Sequence, residues 1–492
     1  MKKLIIASSL ALLTNFVYAS ADKTAESYQL HCASCHGANR LGGMGPALLP
    51  ENLKRLRKKK ASKVIANGRA ATQMPAFTSK LSDKEIQSLV DYVYTPLTKI
   101  PSWGMSEIKE SHLTHFKADS LSDKPVFKAD MMNLFIVVEL GDHHATLLDG
   151  DKFERIQRFK TRFALHGGPK YSPDGRYVYF ASRDGWISKY DIYNLKTVAE
   201  VRAGINTRNV AVSGDGKTVL VGNYLPHNLV MLDADTLQPL KVIPVKADGK
   251  SSRVSAVYTA TPRHSFIAAL KDIPEVWEIA YSKPNFPIRK IKLTDYLDDF
   301  QFDQSYTHLM GAGRNAKNGQ VIDLNIGRKV ANLELTGLPH LGSGITWNYK
   351  GRPVMATPNI KKSEISIIDM TSWKTIKKIK TLGPGFFMRS HENSPYAWAD
   401  VFFGPNKEAV HVIDKSTLEI VKTLKPSPGK NAAHVEFDRH GKHVLLSVWD
   451  MDGELIIYNA DTLTEIKRIP MKKPSGKYNV FNKISRSAGT SH

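Results

Sequence analysis

The sequence predicts a small all-α domain followed by an all-β, eight-bladed β-propeller. A capped amphipathic helix follows Ser82, and from Leu134 onward short β-branched and aromatic runs recur about every forty residues. With 492 residues, the chain is also too long for one ordinary core. The predicted boundaries are a leader at 1–19, the α domain at 20–98, a linker at 99–130 and the propeller at 131–492.

The leader has the pattern of a secretory signal peptide. Lys2 and Lys3 precede an apolar run from Leu4 to Val17, and small residues follow around Ala19. This run is too short to span a membrane, and no other stretch approaches about eighteen apolar residues. We therefore expect a soluble mature chain that is exported to the periplasm.

The stretch Cys32-Ala33-Ser34-Cys35-His36 predicts covalent attachment of one haem c. In C-x-x-C-H the two thiols bind the haem vinyl groups, and His36 then ligates the iron. Because the chain has only 2 cysteines, a four-ligand zinc site or a disulfide framework lacks its ligands, and an exported redox dithiol is the remaining alternative. Met74, in Met74-Pro75, is the predicted second axial ligand of a class I cytochrome c, with Met44 and His31 as alternatives.

The last helix of this domain has clear start and stop signals. Ser82 and Glu85 form a capping box, and an apolar face follows at the spacing of a helix. Pro96 ends the helix, and a polar connector with little periodicity extends to about Lys128.

The repeats indicate the blades of a propeller. A strand ending in Asp or Asn, then a polar turn, recurs at Leu232–Leu237, Ile413–Leu418 and Tyr458–Leu463. Seven full units begin near residues 172, 213, 261, 303, 350, 394 and 438, and 134–158 is an eighth that lacks one strand, which the C-terminus could supply. Because a single blade cannot bury its apolar faces, such units close into a ring around an axial funnel. Seven blades or a stacked solenoid are the alternatives.

The chain is strongly basic, with a formal net charge of +22. An exported haem protein rarely meets nucleic acid, so we expect an acidic partner such as a small redox protein. The densest basic run, Lys54 to Lys60, is either a solvated helix face or part of a docking surface.

Several stretches resemble the cytochrome cd1 family, in which haem c lies in the small domain and haem d1 on an eight-bladed propeller. They include Trp103-Gly104-Met105, Ser182-Arg183-Asp184, Ser447-Val448-Trp449 and Ser475 to Val480. The resemblance covers nearly the whole mature chain. It implies that His166 is the proximal ligand of the propeller tetrapyrrole and that His340 is one of two distal histidines.

The second distal histidine is missing, because Leu297, Asp298 and Asp299 stand where it would be. Nitrite reduction consumes two protons at an anionic substrate, and a pocket with one imidazole fewer and more carboxylate handles it poorly. The chain therefore resembles another branch of the family, the dihydro-haem d1 dehydrogenases, which convert a propionate of the macrocycle to an acrylate in haem d1 biosynthesis.

This resemblance implies the remaining site residues. Arg183, Arg208 and Arg389 are expected to hold carboxylates of haem d1 or its precursor, and His434 and Tyr478 are the acid/base candidates, together with His340. Electrons would leave through haem c to a redox partner, and a nitrite reductase would receive the finished cofactor. Nitrite reduction and a non-catalytic haem d1 carrier stay open as alternatives.

Overall fold

The computed structural model describes residues 23–43, 45–53, 56–68, 74–99, 102–117, 120–163, 165–313 and 317–485. The chain divides into two compact units, Met1–Ser102 and Trp103–His492. The predicted leader and Met44 lie outside the described residues. Among the described residues, no helix combines the length and the apolar character needed to cross a membrane.

The first unit is all-α in its described residues, as predicted. Its helices α1 to α5 are residues 23–31, Ala33–His36, Pro50–Leu53, Lys58–Asn67 and Asp83–Tyr94. The predicted capping box begins α5: the Ser82 N–H donates to Glu85 Oε2 at 2.8 Å, and Ser82 Oγ accepts from the Glu85 N–H at 3.4 Å. The apolar face of α5 packs into one core with Tyr28, Leu53, Phe77 and Leu81.

The second unit is built of antiparallel sheets. Besides helices α6 (Met105–Glu110) and α7 (Val480–Ser485), it has short 3₁₀ turns at Met131–Asn133, Thr261–Arg263 and Leu341–Ser343. Its strands in chain order are β1 (Leu113–Thr114), β2 (Leu134–Glu139), β3 (His144–Asp149), β4 (Glu154–Lys160), β5 (Lys170–Tyr171), β6 (Tyr177–Ala181), β7 (Trp186–Asp191), β8 (Lys196–Arg202), β9 (Asn206–Val212), β10 (Thr218–Leu225), β11 (Asn228–Asp233), β12 (Pro239–Pro244), β13 (Lys246–Ala247), β14 (Lys250–Ser251), β15 (Val254–Ala260), β16 (Ser265–Leu270), β17 (Glu275–Ala280), β18 (Ile288–Lys292), β19 (Asp299–Phe302), β20 (His308–Ala312), β21 (Gly319–Asp323), β22 (Arg328–Leu333), β23 (Ile345–Tyr349), β24 (Arg352–Pro358), β25 (Glu364–Asp369), β26 (Thr375–Lys380), β27 (Met388–Ser390), β28 (Tyr396–Asp400), β29 (Val410–Asp414), β30 (Ile420–Leu424), β31 (Ala432–Phe437), β32 (His443–Val448), β33 (Gly453–Asn459), β34 (Glu465–Met471) and β35 (Pro474–Asn479).

These strands form the eight predicted blades. Seven are consecutive: β5–β8, β9–β12, β15–β18, β19–β22, β23–β26, β27–β30 and β31–β34, while β13 and β14 form a separate hairpin. The remaining blade joins the two ends of the propeller, because β35 pairs with β2, with Tyr478 opposite Ile136. The predicted completion of the partial unit by the C-terminal strand is thereby confirmed.

The recurring Asp signature is a turn device. Asp414 Oδ1 accepts backbone N–H bonds from Ser416 at 2.7 Å and Thr417 at 2.9 Å, and Leu418 then takes a left-handed φ of 60°. Asp233 and Leu237 repeat the arrangement in the β11–β12 turn. The short acidic side chain accepts hydrogen bonds from backbone N–H groups of its own turn. This signature therefore stabilises a turn and does not indicate a catalytic or binding site.

The segment that follows Ser102 packs on the propeller. The Trp103 indole N–H donates to the Arg202 carbonyl at 2.7 Å, and β1 adds a fifth strand to a blade, with Leu113 opposite Glu200. Part of the predicted linker therefore forms the edge strand of the blade that contains β5–β8.

Candidate functional site

The C-x-x-C-H motif holds its histidine as an iron ligand requires. His36 lies at the end of α2, and its Nδ1–H donates to the Pro46 carbonyl at 2.8 Å. A carbonyl can only accept, so the Nε2 lone pair is left for a metal. Burial of His36 lowers its pKa, which keeps the imidazole neutral. A Cβ on Gly45 would lie 2.7 Å from the His36 ring, so only glycine lets this loop close on the imidazole.

The two thiols fit covalent haem attachment better than redox exchange. Cys32 and Cys35 are both free thiols of intermediate exposure. Burial and then the neighbouring Cys35 raise the pKa of Cys32 to about 11, whereas a redox dithiol needs a lowered thiol pKa. The chemistry of this donor set therefore fits haem c, with Cys32, Cys35 and His36 in the predicted roles.

Met74 packs on the same apolar cluster as Cys32. The chain just after it is fixed by a bridge between Asn67 and Ala76 and by the Phe77 N–H, which donates to the Ile65 carbonyl at 3.1 Å. The second axial ligand stays a prediction, and its position beside Cys32 supports Met74.

Replacing Met74 with Ala should lower the reduction potential of haem c and remove the thioether-to-iron absorption band, because a thioether ligand raises the potential. Tetrapyrrole affinity of the propeller should stay as in the unaltered protein. Leu48→Ala is the matched control, since Leu48 packs on the same cluster and has no donor atom. An unchanged haem c spectrum in Met74→Ala would remove Met74 from the site.

All eight blades contribute to one cavity on the propeller axis. It encloses about 1150 Å³ of empty space, a volume that includes space open to solvent. Six of the seven predicted tetrapyrrole-site residues in the propeller line it: His166, Arg208, His340, Arg389, His434 and Tyr478. Arg183, in the turn between β6 and β7, is half-buried and is not among the lining residues, so its role stays a prediction.

His166 is prepared to bind a metal from one side of the cavity. Its Nδ1–H donates to the Arg208 carbonyl at 2.6 Å, which fixes the tautomer and leaves Nε2 as an acceptor. Nε2 accepts a hydrogen bond from Arg208 Nη1 at 2.7 Å. The lone pair needed for iron is therefore present and can exchange the guanidinium for a metal.

Arg208 is a buried cation at the cavity wall. Its Nε–H donates to the Ser255 carbonyl at 2.7 Å. Burial alone would lower its pKa, but Tyr224 and then Asp299 act in the opposite direction, and the net shift is upward. A charged, anchored guanidinium of this kind suits a carboxylate.

Asp299 is the cavity group at the place of the missing histidine. Leu297 packs in the apolar core, and Asp298 forms an ion pair with Lys271. Asp299 Oδ2 lies 3.7 Å from His340 Nε2, and Oδ1 accepts from the Tyr258 hydroxyl at 3.0 Å. The distal pocket thus has one imidazole and one carboxylate.

His434 occupies a strained position in the cavity wall. The pairing of β31 with β32 shifts between Ala433 and Val435, so His434 is the extra residue of a β-bulge, with φ 53°. Bulges of this kind re-aim a side chain. The imidazole packs 4.6 Å from the Phe387 ring and 5.2 Å from the Tyr478 ring, centroid to centroid.

The surroundings of His434 keep it neutral. Burial, then the charges of Lys477 and Arg389, lower its pKa well below 6.5. Its Nδ1 has no hydrogen-bond partner within the described residues. A neutral imidazole in a cavity wall can accept a proton from a bound ligand.

Tyr478 and Arg389 complete this side of the cavity. Burial raises the pKa of Tyr478 to about 12, so the phenol stays protonated and can donate a hydrogen bond or relay a proton. Arg389 Nη1 donates to the Met388 carbonyl at 2.7 Å, and its Nε lies 3.7 Å from Glu436 Oε2. Arg389 Nε and Glu436 Oε2 both lack a hydrogen-bond partner among the described residues. Arg389 can therefore still donate to a carboxylate of a ligand.

Sequence reasoning missed Tyr258, Phe386 and Phe387, which line the cavity. It also missed Asp400 and Lys477, which bond to backbone atoms of lining residues. No motif marks them. The strands that begin each blade meet at the axis, so the repeat itself could have identified Tyr258 on β15.

Comparison with known proteins agrees with both units. Residues 129–483 match the family described as Cytochrome D1 heme domain, and residues 19–93 match the family described as Cytochrome C oxidase, cbb3-type, subunit III. The dihydro-heme d1 dehydrogenase of Pseudomonas aeruginosa is 56% identical over 99% of this chain and 100% of its own length. The nitrite reductase of Stutzerimonas stutzeri is 25% identical over 93% of this chain and 92% of its own length. A solved structure of dihydro-heme d1 dehydrogenase NirN in complex with DHE superposes with a TM-score of 0.90 at 57% identity, covering 94% of this chain and 100% of that one.

Proposed function

The chain belongs to the family of the cytochrome D1 heme domain, and from this we propose that it is a dihydro-haem d1 dehydrogenase acting in the periplasm. It is an oxidoreductase that turns a propionate side chain of the bound tetrapyrrole into an acrylate, the last change in making haem d1. The observation that carries the proposal is a neutral His434 in the wall of the cavity that all eight blades line, in a chain similar over its full length to such a dehydrogenase.

The reaction removes two protons and two electrons from a saturated CH₂–CH₂ unit and leaves CH=CH. His434 accepts one proton, because its ring lines the cavity, is neutral and has an Nδ1 without a hydrogen-bond partner among the described residues. Tyr478 keeps its own proton and orients the substrate or relays the second proton to solvent at the cavity mouth. His166 binds the substrate iron through Nε2, and Arg208 and Arg389 hold side-chain carboxylates.

Haem c, when bound by Cys32, Cys35 and His36, supplies a one-electron acceptor. The two electrons therefore leave one at a time to a small redox protein. The exposed basic start of α4, residues 57–60, together with the net charge of +22, favours an acidic partner. The nitrite reductase that uses haem d1 is the expected recipient of the product.

Nitrite reduction is the less favoured function. It needs proton donors beside an anion, whereas this pocket places the Asp299 carboxyl group 3.7 Å from His340 Nε2. A carboxylate at that distance repels nitrite. Burial lowers the pKa of His340, and the one proton of the neutral ring is donated from Nδ1 to the Phe386 carbonyl, so Nε2 has no proton to give.

The test is anaerobic mixing of the purified protein with dihydro-haem d1, followed by absorption spectroscopy and identification of the extracted tetrapyrrole. We expect the acrylate product to form while haem c is reduced. Binding without a spectral change would favour a carrier. Robust nitric oxide formation from nitrite, without acrylate, would return the chain to nitrite reduction.

Arg208→Ala should weaken tetrapyrrole binding by about 1.5–3 kcal/mol, the usual contribution of a hydrogen bond to a charged group. The measurement is an anaerobic absorption titration, with Arg183→Ala in parallel. An equal loss in Arg183→Ala would place that side chain on a substrate carboxylate as well. Unchanged affinity in both variants would rule out both as carboxylate anchors.

A further inference from the structure

One buried carboxylate collects three backbone donors at the cavity wall. Asp400, at the end of β28 and 1% exposed, accepts from the Phe386 N–H at 2.8 Å and the Phe387 N–H at 3.0 Å through Oδ1. Its Oδ2 accepts from the His434 N–H at 3.1 Å. The side chain therefore joins the segment before β27 to the bulge of β31 on the next blade.

Two of the three cavity histidines, His434 and His340, depend on the peptides that Asp400 holds. His434 is the bulge residue, and its left-handed φ is costly for a non-glycine residue unless neighbouring groups enforce it. His340 donates from Nδ1 to the Phe386 carbonyl, and its ring packs 4.1 Å from the Phe386 ring. A shift of the Phe386–Phe387 segment would thus turn His340, while loss of the Oδ2 contact would free His434.

A second buried charge fixes the other side of the same peptide. Lys477 on β35 is fully buried and donates to the His434 carbonyl and, at 2.9 Å, to Ser447 Oγ. The bulge is therefore held by an acidic group at its N–H and a basic group at its C=O, each from a different element.

We infer that Asp400 is a positioning residue that sets the orientation of His434 and His340 together through one carboxylate. This inference rests on the proposed function, because Asp400 would align the proton acceptor, His434, and the distal histidine, His340, on the same substrate. A carboxylate suits the role because it only accepts, and all three facing groups are donors.

Asp400→Asn tests the inference while keeping the volume of the side chain. Whichever way its amide turns, the NH₂ group faces at least one backbone N–H, so one contact is lost. Asp438→Asn is the matched control, since Asp438 is 2% exposed and accepts backbone N–H bonds from Lys442 and His443, away from the cavity. The readouts are ¹⁵N spectra of the full chain with labelled histidine, substrate affinity, and the single-turnover rate of conversion.

In Asp400→Asn we expect the His434 and His340 ring signals to move together, the conversion rate to fall about 10–100-fold, and substrate affinity to change less than about threefold, as for a group that aligns reacting atoms. Asp438→Asn should leave the His434 and His340 ring signals, the substrate affinity and the conversion rate unchanged, and should move only the signal of His443, whose Nδ1 lies 2.8 Å from Asp438 Oδ2. A folded Asp400→Asn protein with both ring signals in place would overturn the inference. If both signals move but His434→Ala converts substrate normally, the positioning role stands and the proposed role of His434 falls.

A second measurement needs no substitution. In the unaltered protein, hydrogen exchange of the Phe386, Phe387 and His434 amides should show one common protection factor, because one carboxylate holds all three. Three unrelated protection factors would contradict the inference, even if Asp400→Asn does not fold.

Discussion

Replacing His434 with Ala should leave dihydro-haem d1 bound and slow its conversion by on the order of 10²–10⁴-fold, the usual contribution of a positioned general base. The proposed substrate contacts are those of His166, Arg208 and Arg389, and the His434 ring is not one of them, so the dissociation constant should change little. The measurement is a single-turnover absorption trace with saturating substrate. A normal rate in His434→Ala would exclude this side chain as the proton acceptor.

Two further variants separate chemistry from folding. His434→Asn tolerates the left-handed φ of the bulge better than Ala and should lose conversion to the same degree. His411→Ala is the matched control, because burial lowers the pKa of His411 to about 4, yet that histidine lies outside the cavity wall. It should convert substrate at the unaltered rate.

The pH dependence has a defined sign. Because the pKa of His434 is lowered well below 6.5, its ring signals should not titrate as the pH falls through 6.5. Burial raises the pKa of Asp400 to about 6, against the opposing charge of Lys477 and the N–H of His434. The Asp400 carboxylate is therefore present above about pH 6 and lost below it, so an acid limb of conversion near that pH belongs to Asp400 and should be absent in Asp400→Asn.

Replacing His166 with Gly should abolish the axial-ligand signature of the bound tetrapyrrole while the haem c spectrum stays unchanged. The hydrogen bond from Nδ1–H to the Arg208 carbonyl fixes both the tautomer and the orientation of the His166 ring. The Nε2 lone pair is therefore held in one position, and its loss should remove the axial ligand. Absorption and electron paramagnetic resonance spectra of the loaded protein measure the effect.

Added imidazole provides the control for this variant, because a small ligand can enter the space left by the ring and restore the signature. An unaltered signature in His166→Gly without added imidazole would assign the proximal position to another residue.

The fold could be predicted from sequence because its information is local and repeated. The turn device headed by Asp233 or Asp414 recurs in successive blades, and the missing strand of the first unit pointed directly to the C-terminus. The capping box at Ser82 likewise predicts the start of its helix, because it depends only on residues close together in the sequence.

The site was predictable only in part. Family resemblance supplied His166, His340 and His434, but sequence could not choose among Leu297, Asp298 and Asp299, because burial in the core and an ion pair with Lys271 decide it. A bulge and a left-handed φ are likewise set by pairing between strands. Asp400 and Lys477 act on backbone atoms of distant residues, which leaves no pattern in the chain.

The pairing of β35 with β2 closes the ring of blades and completes the cavity wall at the same time. Ser475, Gly476 and Tyr478 enter the cavity wall on the last strand, and until that strand arrives β2 presents an open edge. A chain truncated before Pro474 would therefore lack part of its cavity wall and expose a strand prone to pairing with other molecules. The strand that closes the ring of blades is therefore also a strand that builds the proposed tetrapyrrole site.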